Sequence, residues 1–505
     1  MRSVLVNLGY PGGFRSVLVL LLLPFLVALQ SCSGNGGEPQ SLEFHQAYFI
    51  KNNYEGTATC LQCHNDAGNH ILQTGHWNWQ GVASNVQDHE TEYHGKNNMI
   101  NNFCIAVPSN EGRCTQCHIG YGYADNSYDF GNTENIDCLV CHDQTGTYKK
   151  SKTAAGAPES SIDLRAVARS VGSRNGIPQR SNCIGCHASA GGGDNVKHGD
   201  LSSSLVSTSR LYDVHMGTDG GNFSCVKCHE MNRSTEGDPL DHGIAGMPFH
   251  SVDEGSMKQC SDCHGDTTQA HENKDMGTLF VSMSGSPQHQ RLACQVCHIP
   301  KFAQQVATKT DWDWSSAGQD IDPIPVDPAS GRATYDKKKG SFVWEYNVRP
   351  VLRVHNGKWN KTMVNVNDQY SSLPAILASP AASPTEPTAK IYPFKKMTGK
   401  QIADAGNKTL LVPHLFGTAG GENPYWVKYD WHLALQDGAN YTGQTYSGAY
   451  EFVNTEMLLS VNHEVAPAVY ALGKDGDCAD CHSPGLIDWP ALGWTEDPYK
   501  PGGGN

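Results

Sequence analysis

The sequence predicts a chain of short helical turns and irregular loops, with little β-structure, wrapped around a core that the polypeptide alone does not supply. Three observations support this prediction. The pattern Cys-x-x-Cys-His occurs eight times in 505 residues. The 53 glycines and 26 prolines favour turns and loops over long regular elements. Hydrophobic residues make up only 38% of the chain, whereas a typical globular chain has roughly 45 to 50% when glycine is included.

Each motif has the composition and spacing of a c-type haem attachment site. Two thiols two residues apart add to the two vinyl groups of one porphyrin, and the adjoining imidazole then lies beneath the iron as an axial ligand. A single Cys-x-x-Cys is also typical of a zinc site or a redox dithiol. Eight copies, each followed by His, instead indicate eight covalently bound haem c groups. The predicted fold class is therefore a multihaem cytochrome c.

The motifs are numbered 1 to 8 in chain order. The attachment cysteines are Cys60 and Cys63, Cys114 and Cys117, Cys138 and Cys141, Cys183 and Cys186, Cys225 and Cys228, Cys260 and Cys263, Cys294 and Cys297, and Cys478 and Cys481. The motif histidines, expected to bind iron, are His64, His118, His142, His187, His229, His264, His298 and His482.

Residues 1–31 are predicted to be a signal peptide, because their apolar run is too short to span a bilayer comfortably. They end in Leu29-Gln30-Ser31-Cys32, which is similar to a bacterial lipobox. A lipidated Cys32 would hold the protein on a membrane, with residues 32–59 as tether and N-terminal segment. The alternative is an ordinary cleaved signal with an incidental cysteine. We expect an exported protein, in the periplasm or, as a lipoprotein, at the outer membrane or cell surface.

Residues 60–300 carry seven of the motifs and are predicted to form a haem core dense enough for electron transfer between cofactors. Residues 301–477 contain no motif and are expected to pack on that core. Residues 478–505 hold motif 8 and the C-terminal tail. Elsewhere the pattern predicts helices at 162–171, 401–405 and 451–461, a strand at 342–346 and an exposed loop at 378–389.

A sixth ligand is available for every haem, since 15 of the 23 histidines lie outside the motifs. This surplus does not show whether one iron stays open. The preferred distal ligands lie near motifs, beside glycine or in short loops. They are His76, His198, His215, His242, His271, His289 and His463, with His94 and His250 in reserve, while His45, His89, His355, His414 and His432 resemble surface or core residues.

The net charge of −14 disfavours a nucleic-acid partner. An anionic substrate would need a locally basic funnel on such an acidic protein. Only Cys32 and Cys104 among the 18 cysteines lie outside the motifs, so no disulfide framework is expected.

Strings outside the motifs resemble the octahaem tetrathionate reductase family of c-type cytochromes over nearly all of the mature chain. The strings are Asn101-Asn102-Phe103-Cys104, residues 191–200 (GGGDNVKHGD), 293–300 (ACQVCHIP), 307–315 (ATKTDWDWS) and 462–468 (NHEVAPA).

The resemblance implies that one haem, carried over to motif 2, is bound by a lysine amine and keeps a face for substrate. That lysine would be Lys197, with Lys309 as the alternative, and His118 need not bind iron. A lysine binds iron only as the neutral amine, which requires burial and the metal's charge to lower its pKa. The resemblance also places Cys104 near this haem. Asp125 and Asp129, shortly after motif 2, could supply a carboxylate to the same pocket.

These features predict a reductase that takes electrons from redox donor proteins or a quinol dehydrogenase and reduces a small anion, tetrathionate foremost. Arg113 would help to concentrate the anion. Nitrite and hydroxylamine are alternative substrates, although no motif ends in Lys as in pentahaem nitrite reductases. The alternative function is an extracellular or surface electron conduit with every haem bis-His. An oligomer is compatible with either function.

Overall fold

The computed structural model describes residues 42–231, 242–244, 257–265, 291–364, 368–474 and 478–497. The predicted signal peptide, Cys32, His250, His271 and His289 lie outside these residues. No helix in the described ranges is both long enough and apolar enough to cross a bilayer.

Short helical turns carry the haem motifs, as the sequence predicts. A helical turn brings the second cysteine and the histidine to the same side of the backbone. Motif 5 lies on the 3₁₀ turn Cys225–Lys227, and motif 2 ends on the 3₁₀ turn Thr115–Cys117. The α-helices are α1 (Leu42–Lys51), α2 (Thr57–Leu61), α3 (Asn65–Ile71), α4 (Gly75–Asn78), α5 (Glu111–Cys114), α6 (Leu139–His142), α7 (Leu164–Ser170), α8 (Arg180–His187), α9 (Cys260–Cys263), α10 (Cys294–His298), α11 (Tyr425–Lys428), α12 (Trp431–Thr442) and α13 (Ala479–His482).

Helix α7 confirms the helix predicted at 162–171. The Asp163 carboxylate caps it by accepting a hydrogen bond from Ala166 N at 2.9 Å. Its Arg165 guanidinium donates to the carbonyls of Phe49 and Ile50 at the end of α1, each at 2.6 Å. This contact ties α1, which precedes motif 1, to the segment that follows motif 3.

An eight-stranded mixed sheet occupies the haem-free segment, so the prediction of little β-structure is wrong. Its strand order is β4-β5-β3-β9-β10-β8-β7, with β6 pairing to one end of β9. A separate two-stranded ribbon precedes motif 2. The strands are β1 (Gln80–Val82), β2 (Tyr93–Gly95), β3 (Thr308–Asp313), β4 (Tyr335–Asp336), β5 (Gly340–Glu345), β6 (Val351–His355), β7 (Trp359–Lys361), β8 (Ala375–Pro380), β9 (Lys390–Asp404) and β10 (Tyr450–Ser460).

Strand β5 confirms the predicted strand at 342–346, whereas the helices predicted at 401–405 and 451–461 are wrong. Both segments belong to the central antiparallel pair, β9 and β10, which runs in register from Tyr450 opposite Asp404 to Ser460 opposite Phe394. Helix formers such as Met457 and Leu458 suggested a helix. Burial of every second residue from Val453 to Met457 has the period of a strand instead. The predicted loop at 378–389 begins later, after β8 ends at Pro380.

The sheet packs against the chain segment that precedes motif 2. Ile100, Phe103 and Ile105 enter the same apolar core as Trp312 and Met397. The buried Asn102 side chain joins the two parts by hydrogen bonds. Its Nδ2 donates to Met397 O at 2.6 Å, and its Oδ1 accepts from Thr455 Oγ1 at 2.8 Å. The sheet therefore fixes the backbone on either side of Cys104.

Candidate functional site

Five motif histidines each face a second imidazole from elsewhere in the chain. Two imidazoles that share one iron have ring centres roughly 6 Å apart, since each nitrogen lies about 2 Å from the metal and each ring centre about 1 Å further. The pairs and their centroid distances are His64 with His45 (6.1 Å), His142 with His242 (6.4 Å), His187 with His76 (6.1 Å), His229 with His463 (6.2 Å) and His264 with His215 (5.9 Å).

These spacings fit a bis-imidazole iron at motifs 1, 3, 4, 5 and 6. A bare metal ion is a poorer match, because within the described ranges no three or more His, Cys, Asp or Glu side chains form a group that could hold one. Haem c, when bound there, supplies an iron that accepts and passes on one electron at a time.

Four of the preferred distal histidines, His76, His215, His242 and His463, lie opposite motif histidines. His45 was missed, because sequence reasoning assigned it to the surface or core. The signal that could have found it is its place on α1 directly ahead of motif 1. His198 is not a member of the five pairs.

Motif 2 differs from these five motifs in the surroundings of its histidine. His118 is buried, and its Nε2 donates a hydrogen bond to Trp77 O at 2.6 Å. A protonated nitrogen cannot bind iron. Five aromatic rings enclose the imidazole, with centroids 5.1 to 5.9 Å away. Burial lowers the pKa of His118 to about 3, so the ring is neutral.

Cations and one further thiol lie near the cysteines of motif 2, and this group of side chains is here called the pocket. Cys104 interacts electrostatically with Lys96, Lys197 and Arg113, as well as with Cys117. Burial raises the pKa of the Cys104 thiol, which therefore stays uncharged. The structure thus brings Cys104 and Lys197 together beside the attachment point of one haem, within a locally basic region of an acidic protein.

Residues 191–200, here called the ligand loop, present Lys197 to this pocket. Gly191 has φ +84°, and a Cβ there would come within 2.9 Å of the Phe103 side chain, so only glycine lets the loop approach this closely. The Lys197 Nζ lies 5.5 Å from the centre of the Phe103 ring. Burial and the neighbouring Lys96 lower the pKa of Lys197 to about 8, which favours the neutral amine that can bind a metal.

Comparison with known proteins gives the family. A model described as bacterial cytochrome c matches residues 309–485, and one described as cytochrome c554 and c-prime matches residues 59–143. An uncharacterized protein of Archaeoglobus fulgidus is 24% identical over 224 residues, which are 35% of this chain and 73% of the relative. The crystal structure of the octahaem cytochrome c from Shewanella oneidensis is 38% identical with a TM-score of 0.76, covering 90% of this chain and 97% of that one. The chain belongs to the octahaem c-type cytochromes. This confirms the family that the sequence resembles.

In the octahaem cytochrome, neighbouring motifs approach each other through their cysteines. The directly interacting thiols are Cys60 with Cys138, Cys117 with Cys186, Cys183 with Cys225, and Cys260 with Cys294. Weaker electrostatic contacts join Cys141 with Cys183, Cys228 with Cys263, and Cys297 with Cys481.

Hydrogen bonds agree with this order. The side-chain amide of Asn182, just before motif 4, donates to Val140 O and Asp143 O at motif 3, at 3.2 and 3.1 Å. Lys258 N, just before motif 6, donates to Cys228 O of motif 5 at 3.1 Å. The motifs therefore form one row, 1-3-4-5-6-7-8, and in these cysteine contacts motif 2 joins it at motif 4.

Lys309, the alternative ligand, lies in a different place. Its side chain is buried on β3, with Nζ 3.8 Å from the Trp312 ring centre and 3.2 Å from that of Phe342. Burial and the nearby Lys339 lower its pKa to about 6. Its electrostatic neighbours lie on the sheet strands or in the turns beside them, and they do not include the cysteines of motif 2. The structure therefore favours Lys197 over Lys309.

The two aspartates predicted for the pocket each accept a hydrogen bond within a local turn. Asp125 Oδ1 accepts from Ser127 N at 2.8 Å, and Asp129 Oδ1 accepts from Gly131 N at 2.8 Å. Asp129 is exposed. Neither carboxylate is among the groups that interact with Cys104 or Lys197.

Sequence reasoning also missed two cations of the pocket. Lys96 follows the β-ribbon, lies 4.2 Å from the Trp79 ring centre and interacts with Lys197. Lys361, on β7, is buried and also interacts with Lys197. Burial first, and then the positive charge of Lys197, lower the pKa of Lys361 well below its usual value. Neither lies near a motif in sequence, so no local pattern marks them.

Proposed function

We propose that this octahaem cytochrome is a reductase in which the haem of motif 2 delivers electrons to a small sulfur or nitrogen oxyanion, tetrathionate foremost. The observation that carries the proposal is the hydrogen bond from His118 Nε2 to Trp77 O. It removes the ligand that the motif itself would supply. The Lys197 amine, in the same pocket, would then hold the iron of this haem, and the haem would supply electrons to a bound substrate.

The side chains of the pocket suit an anion. Lys96, Arg113 and Lys197 supply positive charge next to an uncharged Cys104 thiol. Cations placed where negative charge enters and develops stabilise the bound state and the transition state more strongly than bulk water does. Cleavage of the central S–S bond of tetrathionate takes two electrons and yields two thiosulfates, with no proton required. Cys104 can donate a hydrogen bond to a departing sulfur without adding charge.

An assay of the holoprotein with a reduced viologen dye tests the proposal. We expect rapid reduction of tetrathionate and slower reduction of nitrite or hydroxylamine. Electron paramagnetic resonance should show one haem with lysine rather than imidazole coordination. A protein that turns over none of the three substrates, with all its haems bis-imidazole, would refute the proposal.

The second candidate function is an electron conduit, and the row of motifs favours it. Motifs 5 to 8 extend the row beyond motif 4. Electrons need only reach motif 4 to pass to motif 2, so delivery to motif 2 does not require this extension. Electron transfer between the ends of the row, measured on a protein whose pocket is blocked by an inhibitory anion, distinguishes the two candidates.

Donor proteins and membrane attachment also belong to this proposal. A redox protein or quinol dehydrogenase would supply electrons, and lipidation of Cys32 would hold the protein at a membrane. We expect Cys32→Ala to move the protein from the membrane to the soluble fraction of the cell. A parent protein already found in the soluble fraction would contradict the anchor.

A further inference from the structure

The sheet inserts a fully buried lysine beneath the ligand loop. Lys395, on β9, is 0% exposed. Its Nζ donates to Val196 O at 2.5 Å, to Lys197 O at 3.2 Å and to Thr308 Oγ1 at 2.7 Å. Two of these three acceptors are carbonyls of the ligand loop, and one of them belongs to the candidate ligand itself.

The third acceptor extends the same network. The Thr308 hydroxyl, on β3, donates to Asn195 O at 2.6 Å. Its hydrogen is therefore used, and its oxygen must accept from Lys395. Burial lowers the pKa of Lys395 to about 7 although Asp200 favours the protonated amine, and the three acceptors match the three hydrogens of that protonated form. Buried polar networks of this kind fix one backbone arrangement, because any displacement leaves a desolvated group without a partner.

Other contacts hold the ends of the segment around Lys197. Asn195 has φ +63°, and its Nδ2 donates to Gly199 O at 2.9 Å and to Val306 O at 2.6 Å. Gly199, at φ +82°, lies so close to Phe302 that a Cβ would come within 2.6 Å of that ring. Lys395 thus holds the middle of the segment from Asn195 to Gly199 through two of its carbonyls, and the Asn195 side chain joins the two ends of the segment.

We propose that Lys395 is a positioning residue that fixes the backbone of Lys197 so that the Lys197 amine reaches the iron of the motif 2 haem. This inference rests on the proposed function. Lysine has a long, flexible side chain, and holding its amine at one point costs conformational entropy. A backbone fixed to within about 0.5 Å limits that cost to the side chain alone. A loosened loop would leave the amine off the iron in part of the population.

The variant Lys395→Met tests this inference in the holoprotein, since Met has similar length and no hydrogen to donate. We expect the lysine-bound signal of one haem in electron paramagnetic resonance to fall at least about fivefold, with a matching rise in high-spin signal. The signals of the bis-imidazole haems should not change. If the substitution only weakened the fold in general, it would also change the bis-imidazole signals, or it would leave the lysine-bound signal intact.

Lys309→Met is the matched control, because it removes another buried lysine, 3% exposed on β3, whose amine faces aromatic rings rather than the ligand loop. It should leave the lysine-bound signal unchanged. If Lys395→Met does not fold, Thr308→Val is the second variant. It removes the hydroxyl group that accepts from Lys395, and it should lower the lysine-bound signal by a smaller factor. A lysine-bound signal that persists in the folded variants overturns the role of Lys395. A parent protein without that signal overturns the proposed function, and this inference with it.

Discussion

Replacing Lys197 with alanine should abolish reduction of sulfur oxyanions, with kcat/KM at least about 100-fold lower, a loss typical of removing one preorganised stabilising group. The physical reason is that His118 cannot take over, because its Nε2 hydrogen is bonded to Trp77 O inside a closed aromatic shell. Steady-state turnover and haem spectra of the same preparation check this. Haem attachment should not change, since the thioether bonds of Cys114 and Cys117 do not involve Lys197.

Lys96→Ala provides the contrast. Lys96 contributes positive charge to the pocket, but under the proposal it is not the ligand. We expect the Lys96→Ala substitution mainly to raise KM for a dianionic substrate. The rise in KM should be smaller at high salt, because screening already weakens the attraction there. Full activity of the Lys197→Ala variant would contradict the role proposed for Lys197 as the iron ligand.

Changing His76 to methionine should slow substrate reduction about tenfold or more when electrons come from a redox protein too large to enter the pocket. His76 faces His187 at 6.1 Å, so it is the expected sixth ligand at motif 4. A Met/His pair raises the potential of a haem. Because motif 2 meets the row at motif 4 in the cysteine contacts, a more oxidising centre there would retain electrons on their way to the site.

The matched control is His45→Met at motif 1, which makes the same chemical change at the end of the short arm. Electrons that enter from the long arm, motifs 5 to 8, do not need motif 1, so turnover should stay within about twofold of the parent. Equal losses in both variants would contradict the branch at motif 4.

The parts of the structure that sequence reasoning predicted well are those that local chemistry specifies. Each haem motif lies on a short helical turn because two thiols and one imidazole must meet one porphyrin. Gly191 belongs to one of the strings that carry the family resemblance, and it lies close against Phe103 in the structure. Cys104 and Lys197 came from the family resemblance, and the structure brings their side chains together.

The parts that were missed depend on contacts between residues far apart in the chain. Strand β10 carries helix-forming residues and is a strand only because β9 pairs with it along its whole length. His45 resembles any surface histidine until α1 brings it opposite His64. Lys96 and Lys361 enter the pocket from the β-ribbon and from the edge of a sheet that the sequence pattern did not reveal.

The position of Lys395 bears on the order in which the parts of the protein assemble. This residue lies 198 positions after Lys197, whose carbonyl it holds. The cysteines of motifs 1 to 7 all precede Lys395 in the chain, so they are synthesised before it. The ligand loop acquires its shape only when β9 arrives, since long-range pairing forms late. Under the proposed function, the site around Lys197 is therefore completed late in assembly, after the segments that carry motifs 1 to 7 have been synthesised.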